Sequence, residues 1–262
     1  LMGEIVKPKV FLIGESKVNH DELDKLLTHL KVADWTSDAS SDTELLLEVY
    51  GRACYKSFGT QLNLNITRVR KSNKTYLTNI IEKGDGSVLE HGVANFFFAD
   101  VSRVFTHELV RHRVGTAISQ ESLRFVRLTD LDWYAPICIQ ESPEAMTIFT
   151  KTMEHLSLLQ QEMSELFGLN DKASFDEKKE ITSAMRRLAP LGLATNIGWS
   201  CNMRTLRHVI EQRTAPWAEE EIRLVFNKVA EITVNKWPNL FGDYTTEMVN
   251  GFLWYKTDFK KI

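Results

Sequence analysis

The sequence has no apolar run approaching the ~20 residues that cross a bilayer. Its opening, "LMGEIVKPKVFLIG", has neither the long greasy core nor the small-residue cleavage site of a secretory signal. Both absences predict a cytoplasmic protein with no membrane partner. Cysteine is scarce too: Cys54, Cys138 and Cys201 are odd in number, far apart and in no C-x-x-C pair. That pattern argues against a disulfide framework or a thiolate zinc site and predicts three small buried apolar residues. Neither G-x-G-x-x-G nor G-x-x-x-x-G-K-[ST] occurs. A nucleotide would therefore have to be held by arginine side chains and helix ends. Internal repeats, low-complexity stretches and Pro/Gly/Ser linkers are also missing, which predicts a single domain over residues 1–262.

There is no excess of positive charge: 32 Lys and Arg against 35 Asp and Glu give a net charge of -3. Such a chain has no global basic field to draw in nucleic acid, and no nucleic-acid partner is expected. The kind of cation says more. The chain holds 18 lysines and 14 arginines, yet Gly84 to Thr150 contains five arginines and no lysine, and Glu180 to Asn227 six arginines and no lysine. Arginine presents a planar fork of donors that grips phosphate or carboxylate with two bonds, whereas lysine is a hydrated point charge. The two windows are where anionic ligands are expected. The competing reading is that arginine simply packs well between helices.

Several helices announce their ends. "DELDKLLTHL" has helical periodicity, and so does "SDTELLLEVYGRACYKS", opened by Ser41 and Glu44 in capping-box spacing. A helix over 73–83 should stop at Gly84. "GVANFFFADV" reads as a strand, "SRVFTHELVRHR" as a helix ending in cations, and "SLRFVRL" as a candidate strand. Ser142 and Pro143 open a long helix to Phe167, and Ser174 with Glu177 caps another to about Leu188. "LGLATNIGWS" resembles a strand, Asn202 caps "MRTLRHVIEQR", and "PWAEEEIRLVFNKVAEITVNKW" is a final long helix. Long helices mixed with a few separated strands predict an α+β fold: a small, mostly antiparallel sheet flanked by helices.

Within the first window, "HELVRH" nearly spells a zinc-protease helix. His107 and His112 are five apart, about 140° around a helix axis, so they do not share a metal and none is expected. Two segments remain: "THELVRHRVGTAISQESLRF" and "MRRLAPLGLATNIGWSCNMRTLRHVIEQRTA". Arg204 and His208 lie four apart on one helical face, as do Arg207 and Glu211. Asn202 marks a helix start, where phosphate or a polar heterocycle can dock.

R-H-R followed by S-x-R, with "LEH" upstream and R-x-x-x-P … N-x-R-x-x-x-H … R downstream, resembles the flavin-dependent thymidylate synthases. The resemblance runs from about residue 45 to 240, through "GRACYKS", "SVLEHGVANFFF", "THELVRHR", "QESLRF" and "IEQRTAPWAEEEIR". It implies a homotetramer with active sites at subunit interfaces, binding FAD and dUMP, with NADPH and methylenetetrahydrofolate as co-substrates. By position, His91, Arg111, His112, Arg113, Gln120, Asn202, Met203, Arg204 and His208 would fall near FAD. Val93 stands where the family often has a small hydroxyl residue, so a contact there would come from backbone. The nucleotide would be held by Glu108, Leu109, Val110 and Arg111, by Gln120, Glu121, Ser122, Leu123 and Arg124, and by Arg186 and Arg213. One departure stands out: Val114 to Glu121 put one residue more than usual between R-H-R and the serine, and Gly115 is placed to absorb it in a turn.

The implied chemistry adds a one-carbon unit at C5 of uracil, which needs electron density at that carbon. In this family no protein thiol is expected to supply it, in keeping with cysteines outside the arginine-rich motif. A fixed cation near N3 and its flanking carbonyls stabilises the enolate form, and Arg213 is the candidate. Ser122 lacks an evident His–Asp pair to activate it and is assigned to phosphate binding. Two alternatives stay open: a nucleic-acid-binding module using the arginine patches, and a relative that binds FAD without synthase activity.

Overall fold

The computed structural model describes residues 3–124, 132–172 and 174–260. In chain order it comprises β1 (Lys9–Glu15), α1 (His20–His29), α2 (Asp42–Tyr55), α3 (Asn73–Lys83), α4 (Gly86–Leu89), β2 (Val93–Ser102), α5 (Arg103–Leu109) and β3 (Thr116–Gln120). There follow α6 (Ile137–Gln140), α7 (Pro143–Leu166), α8 (Phe175–Met185), β4 (Ala194–Asn202), α9 (Met203–Thr214), α10 (Glu220–Lys236), α11 (Pro238–Phe241), β5 (Thr245–Val249) and β6 (Phe252–Lys256). The fold is α+β. One sheet has the order β1-β2-β4-β3, and β5 pairs with β6 in an antiparallel hairpin. No described helix is long and apolar enough to cross a membrane.

The helix ends follow from short-range chemistry. Ser72, Ser102, Ser142 and Ser174 each accept a backbone N–H of the first helical turn, and Pro143 occupies the first turn of α7, where its missing N–H costs nothing. Ser174 and Glu177 complete the reciprocal capping box. At Ser41 only half of it forms: Ser41 accepts the Glu44 N–H, while the Glu44 carboxylate takes the Ser40 hydroxyl at 2.6 Å and the Asn239 N–H at 3.0 Å. Gly84 closes α3 in the left-handed region, at φ 75°.

Close contacts divide the chain into two compact units, and the division falls inside each strand of the four-stranded sheet. The first comprises Leu1–Phe11, Phe97–Arg111 and Ile118–Trp199. Its core includes Phe98 edge-on to Phe105 at 5.3 Å, and a cluster of Trp133, Met153 and Leu193 against which Leu123 and Phe149 pack. The second comprises Leu12–Phe96, His112–Ala117 and Ser200–Ile262. Here α9 packs on α10 and β6. Arg52, only 2% exposed, gives Nε and Nη2 to Glu48 at 2.8 and 2.7 Å and lies 4.4 Å over the Tyr76 ring. That pair lies within α2; Arg52 ties the helix to the chain that follows it by donating to the Ser57 and Arg70 carbonyls at 2.9 and 2.8 Å.

Four expectations need correction. The helix opened by Ser102 ends at Leu109, so Arg111, His112 and Arg113 lie beyond it; the chain must reverse at Gly115, φ 67°, to enter β3. That strand was unforeseen because "TAISQ" has little apolar alternation. The β5–β6 hairpin was also missed, although Asn250 and Gly251, both at positive φ, are a strong two-residue turn signal. Cys54 and Cys138 are exposed; Cys201 is buried, and burial pushes its thiol pKa well up. Most of the candidate strand "SLRFVRL" lies outside the described residues.

Candidate active site

In the first unit a cleft of about 410 Å³ is lined by Arg103, His107, Gln120, Glu121, Ser122, Leu123, Arg186, Arg187, Ala189, Pro190 and Leu191. That volume suits a small ligand, typically ~300–1,000 Å³. Its walls follow from backbone pairing: the N–H groups of Arg103 and Val104, orphaned at the start of α5, donate to Leu193 and Leu191 carbonyls at 3.1 and 3.2 Å. This sets the Pro190–Leu191 segment beside the helix. Gln120 Nε2 donates to Thr106 Oγ1 at 3.0 Å, tying the end of β3 to α5. The Glu121 carboxylate accepts from the Asn196 backbone and side chain, each at 3.2 Å. Ser122 Oγ accepts the Arg124 N–H at 3.4 Å.

The cleft is strongly cationic. Burial lowers the Arg103 pKa, and the nearby Arg186 charge lowers it further. Like charges held this close are relieved by an anion between them. Arg103 and Arg187 carry no motif of their own in the sequence, and His107 stands out there only as a candidate metal ligand. Membership of the lysine-free windows was the available signal for the two arginines. Of the other expected nucleotide contacts, Glu108 and Val110 are half-buried and Arg111 and Arg124 exposed, whereas Leu109 is 0% exposed, so only its backbone is available.

The second unit gathers most of the residues expected near flavin. Arg213 Nε donates to His112 Nε2 at 2.7 Å, and the His208 ring lies edge-on to His112 at 6.2 Å. Burial, then Arg213, then His208 push the His112 pKa down to about 4. A neutral ring is required here, because a protonated Nε2 would meet the Arg213 donor with a donor. The segment after R-H-R is bound to the start of α9: the Gly115 carbonyl accepts the Asn202 N–H at 3.0 Å, and the Val114 carbonyl accepts Thr205 Oγ1 at 2.8 Å. A Cβ at position 115 would collide with the Asn202 and Thr205 side chains, so glycine is demanded both by φ and by space. Asn202 Oδ1 caps α9 through the Thr205 N–H at 2.8 Å.

Met203 and Val93 are less open to a ligand. Met203 is 0% exposed and its N–H donates to the Gly92 carbonyl. The Val93 N–H donates to Ser16 Oγ at 2.9 Å, so it is not a free donor. Arg204 pairs with Glu90 at 2.6 Å, while His91 is exposed and stacked on Tyr50 at 4.1 Å, and Arg113 is exposed.

The His112 shift has a sign that can be tested. Between its ordinary value of 6.5 and about 4, the unfolded chain takes a proton that the folded chain refuses. Stability is therefore complete above 6.5 and falls as pH drops through that window, by ~2 kcal/mol after allowing for solvent screening. Urea unfolding should show this decline in the wild type and a shallower one in His112→Gln; parallel profiles would contradict it.

A family model described as thymidylate synthase complementing protein matches residues 36–239. The chain belongs to this family. Flavin-dependent thymidylate synthase from Corynebacterium diphtheriae is 32% identical over 224 residues, covering 83% of this chain and 85% of the relative. The protein of that name from Mycobacteroides abscessus is 32% identical over 216 residues, covering 80% and 83%. Among solved structures, Thymidylate Synthase X from Helicobacter pylori with FAD and dUMP shares the fold at TM-score 0.58 and 18% identity, covering 90% of this chain and 98% of that one. The family match ends at residue 239, so α11 is only partly included and β5 and β6 lie beyond it.

Proposed function

We propose that this family member is a flavin-dependent thymidylate synthase, converting dUMP to dTMP with methylenetetrahydrofolate as carbon donor and FAD reduced by NADPH. The observation that carries the reading is the arginine-lined cleft around Ser122, in a chain whose relatives bear that name. A nucleoside monophosphate brings a doubly charged phosphate, and a buried anion without paired donors would cost several kcal/mol. Arg103, Arg186 and Ser122 meet that charge, with Gln120, Glu121, Leu123, Arg124 and the Glu108–Arg111 segment around the rest of the nucleotide.

FAD suits the second group by the chemistry of its donors. Arg113, Arg204 and the α9 start answer a diphosphate, and the flat His91–Tyr50 stack and His208 ring answer heterocycles. When bound, the flavin supplies hydride chemistry. The chain's own part is to hold a positive charge where the uracil enolate develops. Arg213 does this with its Nε held by neutral His112, so the guanidinium is oriented before substrate arrives. The active protein is a cytoplasmic homotetramer of single-domain subunits, with each site completed by neighbouring subunits and no nucleic-acid partner.

Gently purified protein should be yellow, with flavin absorbance bands, and should release tritium from C5-labelled dUMP when methylenetetrahydrofolate and NADPH are supplied. Colourless protein that also fails to bind added FAD would overturn the proposal.

A further inference from the structure

Arg213 sits in the last turn of α9, where carbonyls lack partners within the helix and fraying would move the guanidinium. The chain leaves α9 at Ala215 in extended geometry, φ -63° and ψ 147°. What holds the turn is the C-terminal segment beyond the family match. Thr214, 0% exposed, donates Oγ1 to the Ile210 carbonyl at 2.8 Å and accepts the Tyr255 N–H from β6 at 3.0 Å. Its hydroxyl thus links a hairpin N–H to a carbonyl of the last turn. Two further grips lie on the same helical face, at positions 207 and 211. Arg207, 3% exposed, gives Nη1 and Nη2 to Asp243 at 2.7 and 2.6 Å, and Nη1 also donates to the Leu240 carbonyl. Thr257 Oγ1 donates to the same carboxylate at 2.5 Å, Tyr244 donates its hydroxyl to the Arg207 carbonyl at 2.7 Å, and Lys260 pairs with Glu211 at 3.2 Å.

We propose that the C-terminal segment from Leu240 to Lys260, which carries the β5–β6 hairpin, is a clamp on α9 and that Thr214, through its bond to Tyr255, is a positioning residue that holds Arg213 against His112. This rests on the site reading above, in which Arg213 acts on the pyrimidine. A hairpin serving only stability would lower the unfolding temperature when weakened, with the Arg213–His112 geometry intact in whatever remains folded. A positioning clamp changes that geometry in the folded protein. Among the described residues, the charged and titratable groups bearing on His112 are Arg213 and His208, both from α9. His112 is therefore a local reporter: if Arg213 moves off, its titration midpoint rises.

The test uses the full-length holoprotein and the near-isosteric Thr214→Val, with Thr214→Ser restoring the hydroxyl and Arg213→Ala alongside. In folded, FAD-loaded Thr214→Val, kcat/KM for dUMP should fall about tenfold, as expected for a misaligned catalytic group. The His112 midpoint, read by imidazole NMR, should rise from its depressed value, and Thr214→Ser should return both readouts to wild type. Wild-type kcat/KM and an unmoved His112 midpoint in Thr214→Val, with Arg213→Ala inactive, would overturn the clamp while leaving the site reading standing. Full activity in Arg213→Ala would instead overturn the site reading. If Thr214→Val does not fold, Thr214→Ala is compared with Thr214→Ser by the same two readouts, and equal values would overturn the clamp.

Discussion

Replacing Arg213 by alanine should reduce tritium release from C5-labelled dUMP by ~10²–10³-fold or more, the usual effect of removing a preorganised donor from a developing oxyanion, while the flavin spectrum persists. The two halves of this result belong together. If Arg213 were mainly a scaffold for the cofactor pocket, its loss would bleach the protein. If it acts on the pyrimidine, colour remains and chemistry stops. Arg213→Lys should recover little, because an ammonium has no planar fork: it cannot keep an N–H on His112 Nε2, as Nε does at 2.7 Å, while turning further donors toward a carbonyl. Near-normal turnover in Arg213→Ala would remove the central cation from the mechanism.

The elements that were legible in the sequence are those whose cause is local. Gly84, Ser142 with Pro143, and Ser174 with Glu177 close or open helices through contacts a few residues long, and they lie where the sequence puts them. The missed features depend on distance. β3 is a strand because of its neighbour in the sheet, not because "TAISQ" favours one. The lysine-free windows were informative and overcounted. Arg103, Arg186 and Arg187 do line one cleft, but Arg207 is committed to Asp243, and Arg223 donates to the Val249 carbonyl at 2.7 Å and lies 4.8 Å over the Phe252 ring. For those two the packing alternative was correct. Nothing local separates them from Arg103, because their partners lie 26 residues or more away in the C-terminal hairpin segment. Arg52 makes the same point within the motif "GRACYKS": it contributes to the resemblance and serves as a buried strut on Glu48.

Arg103→Gln should weaken dUMP binding on the order of 10²-fold, since a charge-assisted hydrogen bond contributes about 1.5–3 kcal/mol, and should at the same time make the ligand-free protein slightly more stable. The opposed signs follow from one cause. Among the described residues no carboxylate pairs with the Arg103 guanidinium, and burial and the Arg186 charge both disfavour its charged form. Glutamine keeps two N–H donors but removes the charge, relieving that cost without ligand and forfeiting the attraction to phosphate with it. Thermal unfolding with and without dUMP reads both effects in one titration: the ligand-free midpoint should rise, and the dUMP-induced shift should shrink. A structural arginine would give the reverse pattern, a lower ligand-free midpoint with an undiminished shift. That outcome would move the phosphate out of this cleft and with it the roles given to Arg186 and Ser122.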